Sequence, residues 1–310
     1  MFNNFYRKDA RALRVYNALQ NFAPLRHRGK NFCLISLLLV LLCSGLAIAQ
    51  DEQTRWSQWE TDADTLMNHQ DFAGAAKLYT KIIDESKLKE KSNYKSLYKR
   101  AVSYYSAGDF DHALTDVNLF ITEFPESPQP RLLRALINRQ KNDEASQLID
   151  LQKAIELGNT NPQLLFWRGT LLAAKGENES AKKDLLTVQK INDDAEVETM
   201  LGTVYRALEK TDSAFICLNK AIVLDVNYPA SYIYAGSFCV EDENYNLALK
   251  YLNLALRIDS ENISAIFYKG IALVELEKLE EGCRCLRKAL DAGEDDAAEY
   301  LKEFCYDVFK

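Results

Sequence analysis

Three pairs of opposite charge recur along the chain at one fixed interval. Each pair joins an arginine to an aspartate 16 residues later, and successive pairs lie 34 residues apart. The pairs are Arg100 with Asp116, Arg134 with Asp150, and Arg168 with Asp184. An arginine can hold a carboxylate of its own fold through two parallel hydrogen bonds, or it can bind an acidic ligand. We interpret the pairs as structural ion pairs, and the alternative is that the arginines bind an acidic ligand.

The same period appears in the apolar residues that must position these charges. A column of small residues advances by 38, 34, 34, 33, 34 and 34 residues, and two columns that start at Tyr79 and Ile82 advance in step with it. Within a copy the apolar residues recur at helical spacing, and Gly, Asp or Asn marks a turn between two helices. A single helical hairpin cannot cover its own apolar face, so the copies must stack. The small column reads Ala63, Ala101, Ala135, Gly169, Gly202, Gly236, Gly270.

Residues 97–125, within the second copy, carry the clearest signature. Its signature residues are Leu97, Ala101, Tyr104, Gly108, Phe110, Ala113, Val117, Phe120 and Pro125. In these positions the chain resembles the tetratricopeptide repeat (TPR) family, and the likeness extends over about residues 56–296. It implies an all-α, right-handed α-solenoid: a repeat array at 50–296, with seven hairpins that begin near 56, 94, 128, 162, 195, 229 and 263, and a capping helix at 297–310.

The fifth and sixth copies support the structural interpretation of the charge pairs, whereas Lys269 with Cys285 in the seventh copy and Asp62 with Leu78 in the first depart from it. In the fifth copy the two positions are Leu201 and Cys217, so both charges are absent together. In the sixth copy they are Ala235 and Tyr251. Joint loss is expected when an unpaired, buried charge is costly.

The resemblance also implies that first helices line a concave groove that binds another polypeptide. Two groove arginines, with apolar and aromatic neighbours, suit an extended or helical peptide. The alternative is that several of these residues only pack against adjacent hairpins. The family's Lys and Asn cluster for a C-terminal carboxylate is missing, because Glu60, Asp64, Tyr98 and Val102 stand at equivalent positions. The predicted groove residues are Tyr98, Val102, Tyr105, Leu132, Leu136, Arg139, Phe166, Thr170, Thr199, Thr203, Arg206, Ile233, Ser237, Val240, Phe267 and Ile271.

The N-terminal region has the layout of an export signal. Residues 1–30 form a basic leader with seven Lys/Arg and a single Asp, and residues 31–49 are apolar and uncharged. Ala47, Ile48 and Ala49 form an A-x-A site, which predicts a signal peptide cleaved before Gln50. The alternative is a retained signal anchor. Either outcome moves the C-terminal body across the membrane.

Catalytic and metal-binding patterns do not emerge from the sequence. The three histidines form no constellation with a nucleophile, and Cys283 and Cys285 point to different faces of one helix. We therefore predict no cofactor, no metal and no enzymatic activity. Five cysteines follow the export signal, and any disulfide among them, including one through Cys305, stays open. They are Cys217, Cys239, Cys283, Cys285 and Cys305.

These features together predict a non-enzymatic interaction scaffold that is exported across the inner membrane of a bacterium. Its location would be the periplasm or cell envelope, and its partner another protein or peptide. The acidic body disfavours nucleic acid, and membrane contact would be limited to residues 31–49 if they are uncleaved. The alternative is a sensory or regulatory module that binds a peptide or cell-wall fragment while tethered by that segment.

Overall fold

The computed structural model describes residues 31–88 and 93–306, with side chains from residue 50 onward. The described residues form fifteen α-helices and no β-strand. The chain divides into two units, residues 1–65 and 66–310. The predicted basic leader at 1–30 lies outside the described residues.

Helix α1 begins at Asn31 and ends at Asn68, so most of its length belongs to the first unit. Hydroxyls of Thr54 and Thr61 donate to carbonyls one turn earlier, at 2.8 and 2.9 Å. The helix continues through the predicted cleavage position after Ala49. Within the part of the chain that the structure describes with side chains, no helix is both long enough and apolar enough to cross a membrane.

The second unit is a stack of helical hairpins in which each helix packs against the next one along the chain. Its helices are α2 Phe72–Ser86, α3 Tyr94–Ser106, α4 Phe110–Glu123, α5 Pro128–Gln140, α6 Glu144–Glu156, α7 Pro162–Ala174, α8 Asn178–Gln189, α9 Ala195–Ala207, α10 Thr211–Leu224, α11 Pro229–Glu241, α12 Tyr245–Ile258, α13 Ile263–Glu275, α14 Leu279–Asp291 and α15 Ala297–Phe304. Hairpins two to seven are formed by α3/α4, α5/α6, α7/α8, α9/α10, α11/α12 and α13/α14, and their first helices begin where the period places copies two to seven. The predicted all-α solenoid is thereby confirmed.

Local chemistry explains where these helices start and turn. Proline occupies the first turn of α5, α7 and α11, where its missing N–H costs no hydrogen bond. The carboxylates of Asp109 and Asp143 accept from backbone N–H groups at the starts of α4 and α6. The tight turn inside each hairpin needs one left-handed residue, and Gly176 supplies it with a φ of 79°. Glu243 adopts the same conformation in the sixth hairpin, with a φ of 59°.

The small column lies where the two helices of a hairpin come closest. A Cβ atom added to Gly236 would lie 2.6 Å from Cγ of Leu252 on the facing helix. Ala248 and Leu252 on that helix are fully buried, so the contact cannot relax outward. Small residues recur here because a larger side chain would force the two helices apart.

We expect Gly236→Leu to lower the free energy of unfolding by about 3 kcal/mol, because the new side chain overpacks the crossing point. Tyr234→Leu is the matched control, since Tyr234 lies on the same helix and is 37% exposed. Urea denaturation followed by circular dichroism measures both changes. Equal stability of the two variants would contradict the close-packing explanation.

First helices of consecutive hairpins also contact each other, as α9 does with α11 and α11 with α13. They therefore share one side of the stack, which we call the groove face. At the C-terminal end α15 packs on α13 and α14. A disulfide between Cys283 on α14 and Cys305 at the end of α15 fastens this cap. The sequence left the pairing open, and the structure resolves it.

Candidate partner-binding site

The three predicted charge pairs come together in the structure. In each one the arginine Nε donates to one aspartate oxygen and Nη2 to the other, at 2.6 to 2.8 Å. Each pair joins the first and second helices of one hairpin. The aspartates are at most 5% exposed. The pairs are Arg100 with Asp116, Arg134 with Asp150, and Arg168 with Asp184.

Further hydrogen bonds link two of these pairs to the preceding hairpin. Arg100 Nη1 donates to Thr80 Oγ1 at 3.1 Å, and Arg134 Nη1 donates to Asn118 Oδ1 at 2.7 Å. Hydrogen bonding to Asp150 raises the pKa of Arg134. Because most guanidinium donors are used within the fold, the geometry favours structural ion pairs over arginines held ready for an acidic ligand.

The fifth hairpin replaces the arginine pair with another ionic contact, which sequence reasoning missed. Glu198 is 1% exposed, and its Oε1 accepts from Lys220 Nζ at 2.7 Å and from Gln189 Nε2. Lys220 also lies 2.7 Å from Asp193, and this bond together with that to Glu198 raises the pKa of Lys220. The available signal was an acid in a column that holds mostly apolar residues in other copies, such as Leu97.

The predicted groove residues fall into three classes of exposure. Arg139 is exposed, and most of the others are half-buried on the groove face. Five are buried among neighbouring hairpins: Phe166, Thr199, Ser237, Phe267 and Ile271. Phe166, for example, belongs to the core that also contains Leu185 and Leu201, and Thr199 Oγ1 lies 2.8 Å from Ser231 Oγ of the next hairpin. The half-buried residues are Tyr98, Val102, Tyr105, Leu132, Leu136, Thr170, Thr203, Arg206, Ile233 and Val240.

The two groove arginines have different surroundings. Arg206 is paired with Glu241 at 3.0 Å and with Asp242 at 2.6 Å, and it lies over the ring of Phe238. Hydrogen bonding to Asp242 raises the pKa of Arg206. Arg139 stacks 5.2 Å from the ring centre of Trp167, and no carboxylate pairs with it among the described residues. Arg139 is therefore the groove arginine whose charge can meet a ligand.

A pocket of about 510 Å³ opens at the C-terminal end of the groove face. Val240, Phe267 and Ile271 from the predicted groove line it, together with Tyr268 and Tyr300. The repeat pattern does not predict this pocket, because Tyr300 comes from the capping helix.

The buried thiols are poor nucleophiles at neutral pH. Burial, together with the charge of Glu198, raises the pKa of Cys217 to about 12, and burial raises that of Cys239 to about 11. Among the described residues no group of three or more His, Cys, Asp or Glu side chains could hold a metal ion.

We expect Cys217 and Cys239 to resist iodoacetamide at pH 8 in the native protein, since the thiolate is the reactive species and both side chains are covered. Unfolding in guanidinium chloride should expose them to rapid modification. Peptide mass spectrometry after timed labelling measures both rates. Comparable rates in the two states would contradict the buried placement of these thiols.

Comparisons with known proteins point to one family. Residues 61–128 match a family model described as tetratricopeptide repeat. Human "Tetratricopeptide repeat protein 6" is 27% identical over 111 residues, which are 36% of this chain and 21% of the human protein. The chain therefore matches about a fifth of the length of that curated relative.

Solved structures show the same fold. A tetratricopeptide repeat protein from Parabacteroides merdae matches with a TM-score of 0.63 and 13% identity, over 80% of this chain and 98% of that one. The C-terminal part of a TPR repeat-containing protein from Cytophaga hutchinsonii matches with a TM-score of 0.57 and 16% identity, over 77% and 98% of the two chains. The APC/C hetero-tetramer Cut9–Hcn1 matches with a TM-score of 0.52 and 19% identity, over 76% of this chain and 45% of that one.

Proposed function

We infer that this chain is a tetratricopeptide repeat protein in its fold and in the sequence of residues 61–128. On this premise we propose that it is a scaffold whose groove face binds a segment of another polypeptide. Proteins of this fold typically act as non-catalytic scaffolds. The Cut9–Hcn1 neighbour, for its part, is a hetero-tetrameric assembly.

One observation carries the proposal. Val102 on α3 and Leu132 and Leu136 on α5 are half-buried on adjacent first helices, so this part of the groove face keeps apolar side chains partly accessible, with Val102 and Leu136 one repeat apart. The stacked Arg139 adds a positive charge beside them. Apolar anchors with one orienting arginine suit an amphipathic or extended segment, because anchors supply affinity and the charge selects direction.

Photo-cross-linking at single positions tests which face binds. p-Benzoylphenylalanine in place of Leu136 should form adducts of discrete mass with envelope proteins. The same residue in place of Ile216 should not, since Ile216 is 68% exposed on a second helix and away from the groove face. Adducts from Ile216 alone, or none from Leu136, would contradict binding at the groove face.

We further propose that the protein is exported, as the N-terminal layout predicts. Two features support this location: the apolar segment 31–49 with its A-x-A end, and the Cys283–Cys305 disulfide. Structural disulfides persist in oxidising compartments such as the bacterial periplasm.

N-terminal sequencing of the protein from a periplasmic extract should begin at Gln50. A start within residues 1–30, in a membrane fraction, would indicate a retained anchor. Full-length protein confined to the cytoplasm would contradict export.

A further inference from the structure

The pocket at the C-terminal end of the groove face is lined by aromatic rings. Tyr245, Phe267, Tyr268 and Tyr300 contribute to its walls. The ring centres of Phe267 and Tyr268 are 5.3 Å apart, and those of Phe267 and Tyr300 are 5.9 Å apart at nearly a right angle. Rings that meet at such angles present π-faces as well as edges to a shared space.

The charged side chains around these rings are all acidic. Glu241, Glu275, Asp296 and Glu299 line the pocket, and no lysine or arginine lines it. Arg206 pairs with Glu241, whereas the other three carboxylates have no ion-pair partner among the described residues. Burial raises the pKa of Tyr300, and the charges of Glu275 and Glu299 raise it further. The three carboxylates without an ion-pair partner therefore leave the lining of the pocket with an excess of negative charge.

Three separate parts of the stack must be in place to form this pocket. Val240 and Tyr245 come from the sixth hairpin, Phe267 and Ile271 come from α13, and Tyr300 comes from the capping helix. The Cys283–Cys305 disulfide links the end of that helix to α14, so a covalent bond as well as packing keeps the capping helix beside α13 and α14. Partial burial of the rings reduces the competition of water for a bound charge.

We propose that this pocket receives a lysine or arginine side chain of the partner polypeptide, an inference that rests on the proposed function of the groove face. A cation over an aromatic face is attracted by the ring quadrupole, and the attraction grows when the site is partly desolvated. The surrounding carboxylates also attract the cation, because their charge is opposite to its own. An acidic or neutral anchor would gain neither interaction. A basic anchor in the pocket and a carboxylate near Arg139 would together fix the direction of the bound segment.

Selection from a random-peptide display library on the full chain, in its oxidised form, tests this assignment. Enriched peptides should share one lysine or arginine, and replacing that residue by norleucine should weaken binding about tenfold in fluorescence anisotropy. The double variant Glu275→Gln/Glu299→Gln should bind the enriched peptides more weakly than the native protein by a similar factor. Glu126→Gln/Glu281→Gln is the charge-matched control, because both glutamates are exposed and lie outside the pocket. Raising NaCl from 50 to 500 mM should weaken peptide binding by the native protein more than peptide binding by Glu275→Gln/Glu299→Gln.

The outcomes separate this inference from the function on which it rests. Peptides without a shared basic residue, whose affinity depends on Leu136 but not on Glu275 or Glu299, would overturn the pocket assignment and leave the groove proposal standing. Failure to select any peptide that competes at the groove face would overturn both. If the native protein self-associates in analytical ultracentrifugation and Glu275→Gln/Glu299→Gln abolishes that association, the pocket assignment would also be overturned. The occupant would then be a second copy of this chain. Tyr300→Leu, checked by thermal melting for a retained fold, should reproduce the loss without changing net charge.

Discussion

Arg168→Leu is expected to lower the free energy of unfolding by about 3 kcal/mol. The change leaves Asp184, which is 5% exposed, without the two hydrogen bonds at 2.6 and 2.7 Å that compensate its burial. Removing one partner of a buried ion pair costs more than the pair contributes, because the remaining charge keeps its desolvation penalty. Urea denaturation of the native and variant proteins gives the difference directly.

The chain itself supplies the matched control for this experiment. In the fifth hairpin Leu201 and Cys217 occupy the equivalent positions, and both are buried. The double variant Arg168→Leu/Asp184→Cys copies that solution, so it should recover most of the stability that the single variant loses. A double variant as unstable as the single one would show that the pair contributes a specific attraction beyond neutralising Asp184. Loss of peptide binding by Arg168→Leu, with stability unchanged, would favour the acidic-ligand alternative.

Features that repeat along the chain were predictable from the sequence. The register of hairpins two to seven follows from the columns, because each copy repeats the same packing problem and therefore the same residue types. The contact of Arg168 with Asp184 follows from the same logic, since the two charges vanish together in the fifth and sixth copies. Because each repeat uses the same packing contacts, the sequence shows them several times. The fold is therefore easier to predict from the sequence than the binding site.

Features that occur once could not be predicted in this way. Arg206 pairs with Glu241 and Asp242, 35 and 36 residues later, and no other copy offers this combination. Phe267 packs against Tyr300 of the capping helix, with ring centres 5.9 Å apart, a contact that the preceding hairpins cannot repeat because each is followed by another hairpin. The aromatic pocket depends on Tyr300, which lies outside the period. Such contacts are set by how the end of the stack closes.

Removal of the disulfide has the largest expected effect on the end of the stack. Cys283 and Cys305 are 22 residues apart, and closing a loop of this size stabilises a fold by about 3 kcal/mol in the chain-entropy model. We expect Cys283→Ala/Cys305→Ala to raise the hydrogen-exchange rate of amides in α15 about a hundredfold, since each 1.4 kcal/mol is a factor of ten. Amides in α3 to α8 should keep their rates, because stability in a repeat array is shared mainly between neighbours. Mass spectrometry of the exchanged protein resolves the two regions.

Cys285→Ala is the matched control, because Cys285 lies on the same helix but carries a free thiol. A reductant should raise the hydrogen-exchange rates of α15 in the native protein as much as the double substitution does. It should not change the exchange rates of the double variant. The same treatment should weaken the binding of basic peptides, since Asp296, Glu299 and Tyr300 reach the pocket only when α15 is docked. If reduction frees α15 but leaves peptide affinity intact, the basic anchor binds elsewhere on the groove face. If reduction changes neither exchange nor affinity, packing of Leu301 and its neighbours alone holds the cap, and the disulfide is dispensable for it.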